Sequence, residues 1–269
     1  MERTLGLISG AGVLPALMAT QARRQGWRVV AFAFGDAPGL DARADRVRRS
    51  RITDIAPVIA GLQEERVTAA VLCGRFSMER LLKSGAADAD HARMAAHAGS
   101  LTDVRLADAI ASTLAGLGIE LLDQRPFLGE MLDGARCWST RNPTDTEWAD
   151  IHRGFEVARL LATASVGQTV VIRRGAIAAV EAVEGTTEAI RRGGLLSGPG
   201  AVVVKATRPD HDFRFDIPSI GPETIQVAAN GQVAVIAIEA HRVMIVDRSA
   251  TVNAADAAGM ALLAVEPRA

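Results

Sequence analysis

The sequence predicts an α/β fold, with an N-terminal Rossmann-like parallel-sheet domain and a C-terminal mixed α/β domain. In the first half, short apolar strands alternate with helical patterns, which is typical of a parallel sheet covered on both faces. After residue 168 a hairpin pattern begins, which indicates a second domain of different style. The 269 residues are enough for two modest hydrophobic cores.

The N-terminal domain, predicted for residues 1–133, opens with a strand-turn-helix-strand unit. An apolar strand at 5–9 meets a glycine turn at 10–12, and a helix at 14–25 leads to a second strand at 27–34. The same alternation predicts the following further elements: a helix at 55–65, a strand at 69–73, a helix at 104–117 and a short strand at 120–122. The Ala-rich and Asp-rich segment 85–99 is expected to be a mobile helical loop that acts as a lid.

Residues 134–146 contain Gly134, Pro143 and several polar residues, so we predict a linker there and a C-terminal catalytic domain at 147–269. A helix at 147–163 is expected to precede a hairpin whose strands, 169–173 and 176–182, flank Arg174-Gly175. The same patterns predict strands at 202–205 and 262–265 and helices at 222–229 and 254–260. They also predict a pair of strands, 233–239 and 242–246, joined around Ala240-His241.

Composition excludes several functions. The net charge is -1 and there is no tyrosine, so neither a global field nor aromatic stacking favours nucleic-acid binding. Cys73 and Cys137 lack metal-ligand spacing and are expected to be free thiols in a reducing cytoplasm. The five histidines lack zinc-site spacing. No secretion signal or run of about 20 apolar residues occurs, so any membrane contact is expected to be peripheral.

The segment 213–221 places Arg214 and Asp216 among Phe, Ile and Pro residues. A carboxylate in such company is expected to be poorly hydrated unless a cation or metal pairs with it. Taken alone, Asp216 is interpreted as an ion-pair partner of Arg214 or a loop cap. Upstream lie further charged and polar groups: Lys205, Arg208, Asp210, His211 and Asp212. Close carboxylates favour a divalent metal and nearby cations favour a phosphate, so this loop indicates phosphorus chemistry.

The glycine turn 10–15 follows a strand and opens a helix, so its backbone N–H groups could bind a phosphate or carbonyl oxygen. Its pattern is an incomplete dinucleotide fingerprint, because Pro15 replaces the third glycine. A nicotinamide-dependent oxidoreductase, with Asp36 as the ribose acceptor, is therefore one alternative. A noncatalytic nucleotide-sugar or lipid-binding protein is another.

Several other motifs have both structural and functional interpretations. Gly74-Arg75 follows a strand and is either a ligand-binding turn or a turn with a solvated arginine. Asp103 suits a helix N-cap and Glu130 a surface charge. Thr186 or Thr187 can cap a helix, or place a hydroxyl near a phosphate.

The chain resembles the LpxI-type UDP-2,3-diacylglucosamine pyrophosphatases of lipid A biosynthesis in Gram-negative bacteria. The resemblance rests on four blocks in family order, at residues 5–15, 167–168, 180–186 and 214–221. It implies Mg²⁺-dependent hydrolysis of UDP-2,3-diacylglucosamine to UMP and 2,3-diacylglucosamine 1-phosphate, which is lipid X. It also implies a cytoplasmic enzyme, in peripheral contact with the inner membrane, and allows a homodimer.

The resemblance, together with the needs of phosphoryl transfer, suggests roles for these residues. Asp216 is expected to ligate Mg²⁺ or orient the attacking water, with Asp212 as a second metal ligand and catalytic helper. Lys205 and Arg214 are expected to pair with phosphate oxygens or to neutralise the two acids, and Glu130 to help hold Mg²⁺ or order substrate hydroxyls. The expected substrate-binding residues are Gly12, Val13, Leu14, Gly74, Arg75, Asp103, Glu130, Met131, Gln168, Thr186, Thr187, Lys205 and Arg214.

Overall fold

A computed structural model describes residues 3–51, 55–76, 103–132 and 134–266. The chain forms two compact units. The first comprises Met1–Gly129 and the short segment Asp212–Asp216, and the second comprises Glu130–His211 and Ile217–Ala269. The segment that carries Asp216 therefore packs with the first unit, although the chain on both sides of it belongs to the second.

The first unit contains a five-stranded parallel sheet in the order β3-β2-β1-β4-β5. Its strands are β1 (Thr4–Ser9), β2 (Arg28–Ala33), β3 (Arg46–Arg49), β4 (Ala69–Cys73) and β5 (Glu120–Leu121). The helices described with it are α1 (Leu14–Arg24), α2 (Ile55–Glu64) and α3 (Asp103–Gly116). This architecture confirms the predicted Rossmann-like fold. The predicted lid at 85–99 lies outside the described residues.

Strand β3 is an edge strand that the hydrophobic pattern did not predict. Its sequence is Arg-Val-Arg-Arg, and its arginines pair with acids elsewhere in the unit, as in Arg46 with Glu65 and Arg48 with Glu64. Charged side chains on an edge strand discourage pairing with other chains. The same charges remove the apolar signal from which strands are predicted.

The second unit contains a six-stranded mixed sheet in the order β6-β13-β11-β9-β7-β8. Its strands are β6 (Arg136–Cys137), β7 (Thr169–Arg173), β8 (Ala176–Val180), β9 (Ala201–Lys205), β11 (Val233–Glu239) and β13 (Ala261–Val265). The helices are α4 (Asp145–Thr163), α5 (Thr186–Ser197), α6 (Pro222–Asn230) and α7 (Arg248–Ala257). Two apolar clusters involving strands of this sheet pack against α4 and against α5 to α7.

The expected pairing of residues 233–239 with 242–246 is wrong. Strand β12 (Met244–Ile245) instead pairs in parallel with β10 (Ser219–Ile220) in a separate two-stranded sheet. Strand β11 is bonded to β9 on one side and β13 on the other, so neither of its edges is open to a third strand. The bounds of the last helix also differ from the expected 254–260. Helix α7 begins at Arg248, and Asp247 caps its N-terminus.

Residues 134–146, for which we predicted a linker, contain β6 and the start of α4 in the second unit. Strand β6 pairs antiparallel with β13. Helix α4 begins with a capping box, in which the hydroxyl of Thr144 accepts the Glu147 N–H and the Glu147 carboxylate accepts the Thr144 N–H.

The predicted hairpin of β7 and β8 is confirmed. Both turn residues, Arg174 and Gly175, have positive φ, a conformation that costs free energy at a non-glycine residue. The buried carboxylate of Asp150 in α4 stabilises this turn by accepting the N–H groups of Arg174 at 2.7 Å and Gly175 at 2.6 Å.

Candidate functional site

In the second unit, Lys205, Thr186 and Gln168 meet around a carboxylate that the sequence did not identify, Glu181. The ammonium of Lys205 donates to the Thr186 hydroxyl at 2.7 Å, and that hydroxyl donates to Glu181 Oε1 at 2.8 Å. The Gln168 N–H donates to Glu181 Oε2 at 3.3 Å, and Lys205 Nζ lies 3.9 Å from the same oxygen. These four residues form the lysine cluster.

The strand registers explain why these residues meet. Lys205 lies opposite Thr169 across β9 and β7, and Val180 lies opposite Val170 across β8 and β7. The end of β9, the start of β7 and the end of β8 therefore lie at one end of the sheet. Gly167 makes the approach of the last two possible, because a Cβ there would lie 2.2 Å from the Glu181 carbonyl oxygen.

Glu181 has the electrostatic character of a fixed counter-ion. Burial alone raises the pKa of Glu181, but the positive charge of Lys205 and the hydrogen bonds from Thr186 and Gln168 outweigh it, so the pKa lies below its ordinary value. The ionised carboxylate holds Lys205, which is only 6% exposed, at the sheet end.

The directions of these hydrogen bonds restrict what Thr186 can do. An ammonium only donates and an ionised carboxylate only accepts, so the Thr186 hydroxyl receives from Lys205 and gives its proton to Glu181. In this arrangement its proton is engaged by Glu181. An anion at the cluster can accept hydrogen bonds from the remaining N–H groups of the Lys205 ammonium. It can also accept them from the first backbone N–H groups of α5, including that of Thr187.

In the first unit, Asp212 and Arg214 form a tight turn. The Asp212 carboxylate accepts the backbone N–H of Arg214 and both Nε and one terminal nitrogen of its guanidinium, at 2.6–3.1 Å. This bond raises the pKa of Arg214. Arg214 therefore pairs with Asp212, one of the two acids that it was expected to neutralise.

A second turn of the same design lies against the first. The Asp123 carboxylate accepts the backbone and guanidinium N–H groups of Arg125, the Gln124 N–H donates to the Phe213 carbonyl at 3.1 Å, and the Arg125 guanidinium lies 4.5 Å from the Phe213 ring centre. Partial burial raises the pKa of Asp123, but the bonds from Arg125 outweigh it and lower the pKa overall. The paired turns hold the segment of Asp216 on the first unit.

Asp216 itself is exposed, which contradicts the expected poor hydration. Phe213 and Ile217 are buried and Phe215 packs against the core of the first unit, so the polar residues between them alternate outward. The apolar neighbours thus take the inner side without desolvating the carboxylate. Asp216 remains accessible to water and to a ligand.

The glycine turn of the first unit uses most of its N–H groups internally. Gly10, Ala11 and Gly12 donate to the carbonyls of Cys73, Arg75 and Asp36 at 2.8–2.9 Å, so they do not present a phosphate cradle. Val13 and Leu14 lie at the N-terminus of α1, where N–H groups lack intrahelical partners. Val13 is 47% exposed.

The remaining candidates are placed as follows. Gly74 has φ +79°, and a Cβ there would lie 3.0 Å from Pro15 Cγ, so Pro15 packs against this turn instead of the usual third glycine. Arg75 is exposed, and its backbone bridges to Ala11. Met131 is half-buried in the short helical turn Gly129–Met131. The side chains of Asp103 and Glu130 lie outside the described part.

Within the described residues, no three His, Cys, Asp or Glu side chains are close enough together to hold a metal ion. None of the helices described is long and apolar enough to cross a bilayer. Both cysteines are free, as expected, with Cys73 buried.

Comparison with known families accounts for nearly the whole chain. The LpxI N-terminal domain model matches residues 4–131, and the LpxI C-terminal domain model matches residues 134–263. The chain belongs to the LpxI family. The resemblance inferred from the four sequence blocks is thereby confirmed.

An LpxI relative from Caulobacter vibrioides, named UDP-2,3-diacylglucosamine pyrophosphatase LpxI, is 29% identical over 287 aligned positions and 99% of both chains. Among solved structures, a glycinamide-RNase-transformylase T from Mycobacterium tuberculosis matches 74% of this chain at 14% identity and a TM-score of 0.26. A phosphoribosylglycinamide synthetase from Anaerococcus prevotii matches 66% at 16% identity and 0.25. The match spans 44% and 38% of those two chains.

Proposed function

We propose that this LpxI-family chain hydrolyses the pyrophosphate bond of UDP-2,3-diacylglucosamine, releasing UMP and lipid X for lipid A biosynthesis. The observation that carries the proposal is the end-to-end match with the Caulobacter vibrioides relative of that name. The models of both family domains also match the chain, in order.

The lysine cluster supplies an anion-binding group of the kind that this reaction needs. A pyrophosphate gathers negative charge on its oxygens as the bond breaks, and fixed cations stabilise that charge. Lys205 is held in place by Thr186 and Glu181, so it does not have to be ordered when substrate binds. We assign it to phosphate oxygens, with the N-terminus of α5 beside it.

Asp216 is the proposed catalytic carboxylate. Its exposure lets it accept a hydrogen bond from a water molecule and orient that water for attack on phosphorus. Asp212 fits a direct role less well, because Arg214 occupies both of its oxygens. We therefore assign Asp212 and Arg214 to holding the segment in which Asp216 lies.

Mg²⁺ dependence is also proposed. Proteins commonly bind Mg²⁺ through one or two carboxylates together with substrate phosphates, and Asp216 fits that mode, with Asp212 only if Arg214 releases it. When bound, Mg²⁺ neutralises charge on phosphate oxygens. We further propose a cytoplasmic enzyme that meets its diacylated substrate at the inner-membrane surface, and a homodimer is compatible with this.

The test is UMP release from UDP-2,3-diacylglucosamine in detergent, with Mg²⁺, with EDTA, and with Mg²⁺ restored in excess of EDTA. We expect release in the first and third conditions only. Absence of UMP in all three would overturn the proposed activity. Equal release in all three would overturn the metal dependence and leave the activity standing.

A further inference from the structure

A second buried carboxylate, Glu239, lies beside the lysine cluster at the end of β11. It is 2% exposed and accepts the Arg159 guanidinium at 2.8 Å, the Thr207 N–H at 2.7 Å and the Thr207 hydroxyl at 3.0 Å. A buried carboxylate is tolerated only when it is paired and hydrogen-bonded in this way. Both oxygens of Glu239 are thus engaged, and one of them fixes Thr207.

Arg242 binds the same stretch of chain from the other side. Its Nε donates to the Thr207 hydroxyl at 2.6 Å, and a terminal nitrogen donates to the carbonyls of Arg208 at 2.7 Å and Pro209 at 2.9 Å. Arg242 Nε also lies 3.5 Å from Glu239 Oε1. The planar guanidinium makes these contacts together, which a lysine ammonium on its flexible stem cannot reproduce.

The backbone brings Arg242 to this position. After β11 the chain turns sharply, with His241 in the left-handed region and the N–H groups of Arg242 and Val243 bonded to the Glu239 carbonyl. The turn places Arg242 next to the carboxylate three residues before it. Ile238, the neighbour of Glu239 in β11, lies opposite Lys205 in β9, so the contacts lie at the same sheet end as Lys205.

The loop that is held in this way comprises residues 207–211. It begins two residues after Lys205 and ends immediately before Asp212, the first residue of the segment that carries Asp216. It contains no helix or strand, and within it the His211 N–H donates to the Arg208 carbonyl at 3.1 Å. Side chains from outside the loop therefore fix much of its conformation.

We propose that Arg242 and Glu239 are positioning residues, which clamp loop 207–211 and thereby fix the chain that leads into the segment of Asp216. Their functional role rests on the proposed pyrophosphatase activity. The contacts that form the clamp do not depend on that activity. Neither residue touches the reacting atoms, and each acts through the loop.

The clamp is tested by amide hydrogen exchange in Arg242→Lys, which keeps the charge and loses the planar contacts. The Thr207 and His211 amides should exchange at least about tenfold faster than in the parent protein, which corresponds to a loss of roughly 1.4 kcal/mol of local stability. Arg141→Lys is the matched control, since Arg141 likewise binds a carboxylate and a backbone carbonyl, at the opposite end of β11. It should leave both amides unchanged.

The positioning role is tested by the kinetics of the same variants. We expect kcat to fall at least about tenfold in Arg242→Lys, with KM within about threefold of the parent, because misplaced groups lose interactions made in the transition state. Arg242→Ala should lose more and regain part of its turnover in millimolar guanidinium. Glu239→Gln should resemble Arg242→Lys, and Arg141→Lys should match the parent.

The exchange and kinetic results test the clamp, the positioning role and the proposed function separately. Exchange rates within about twofold of the parent would overturn the clamp, whatever the turnover. Faster exchange with unchanged kcat would overturn the positioning role. If the parent protein releases no UMP, the proposed function fails by itself, and the exchange rates still decide whether Arg242 clamps the loop.

Discussion

Replacing Glu181 by Gln should destabilise the second unit by an amount that can be worked from the structure. The Glu181 carboxylate lies 3.9 Å from the Lys205 ammonium, and the two side chains are 13% and 8% exposed. At an effective dielectric constant of about 20, that separation corresponds to about 4 kcal/mol of attraction. The glutamine oxygen still accepts the Thr186 hydroxyl, so we expect a loss of about 3 kcal/mol at pH 7.

The loss should depend on pH with a definite sign. The folded-state pKa of Glu181 is lowered, so its ionised form stabilises the folded chain above the unfolded-state value of about 4.5. As the pH falls below that value and through the folded pKa, the parent protein loses this contribution. The difference between the parent and Glu181→Gln should then shrink towards zero.

Urea unfolding followed by tryptophan fluorescence measures the difference, because Trp138 and Trp148 pack against the apolar clusters of the second unit. Glu188→Gln is the matched control, since Glu188 pairs with Arg191 on the surface of α5 with both side chains about half exposed, and should cost less than about 0.5 kcal/mol. A loss below about 0.5 kcal/mol for Glu181→Gln at pH 7, or an equal loss at pH 7 and in acid, would refute the counter-ion role.

Two further predictions concern packing. Gly167→Ala should destabilise the second unit by at least about 2 kcal/mol in the same urea assay, because the added Cβ meets the Glu181 carbonyl. The control is Gly116→Ala at the end of α3, where a Cβ meets nothing within 4 Å and the substitution should cost little. Equal losses of stability in the two variants would contradict the close approach of Gly167 to Glu181. Cys73 should resist a thiol reagent in the folded protein, because it is buried and burial raises the pKa of its thiol. Cys137, which is only partly buried, should react slowly. Equally fast reaction of the two thiols would contradict this prediction.

Sequence patterns predicted the elements whose apolar residues are buried. Strands β1, β2 and β4 are composed mainly of apolar residues, and each was placed within one or two residues of its observed bounds. Strands β6 and β10 are two residues long and were not predicted, whereas β12 lies within the strand predicted at 242–246. The pairing of β12 was not predictable locally, because it depends on β9 and β13 already occupying both edges of β11.

The candidate site shows the same limit. Thr186 and Gln168 were proposed from the resemblance and Lys205 from the charged stretch before Asp216, and the structure brings them together around a residue that was overlooked. The signal for Glu181 was present, since it lies in the 180–186 block and the predicted hairpin register places it opposite the start of β7. The exposure of Asp216 depends on which neighbours pack inward, and local sequence does not give that direction.

The most direct test of the central claim is turnover by Asp216→Ala beside Asp41→Ala, an exposed aspartate that pairs with Arg49 in the first unit. Because Asp216 is exposed, its removal should leave the melting temperature within about 2 °C of the parent. We predict that Asp216→Ala binds UDP-2,3-diacylglucosamine by calorimetry but releases no detectable UMP, while Asp41→Ala turns over normally. Turnover of Asp216→Ala within about tenfold of the parent, a barrier change of roughly 1.4 kcal/mol, would contradict the account.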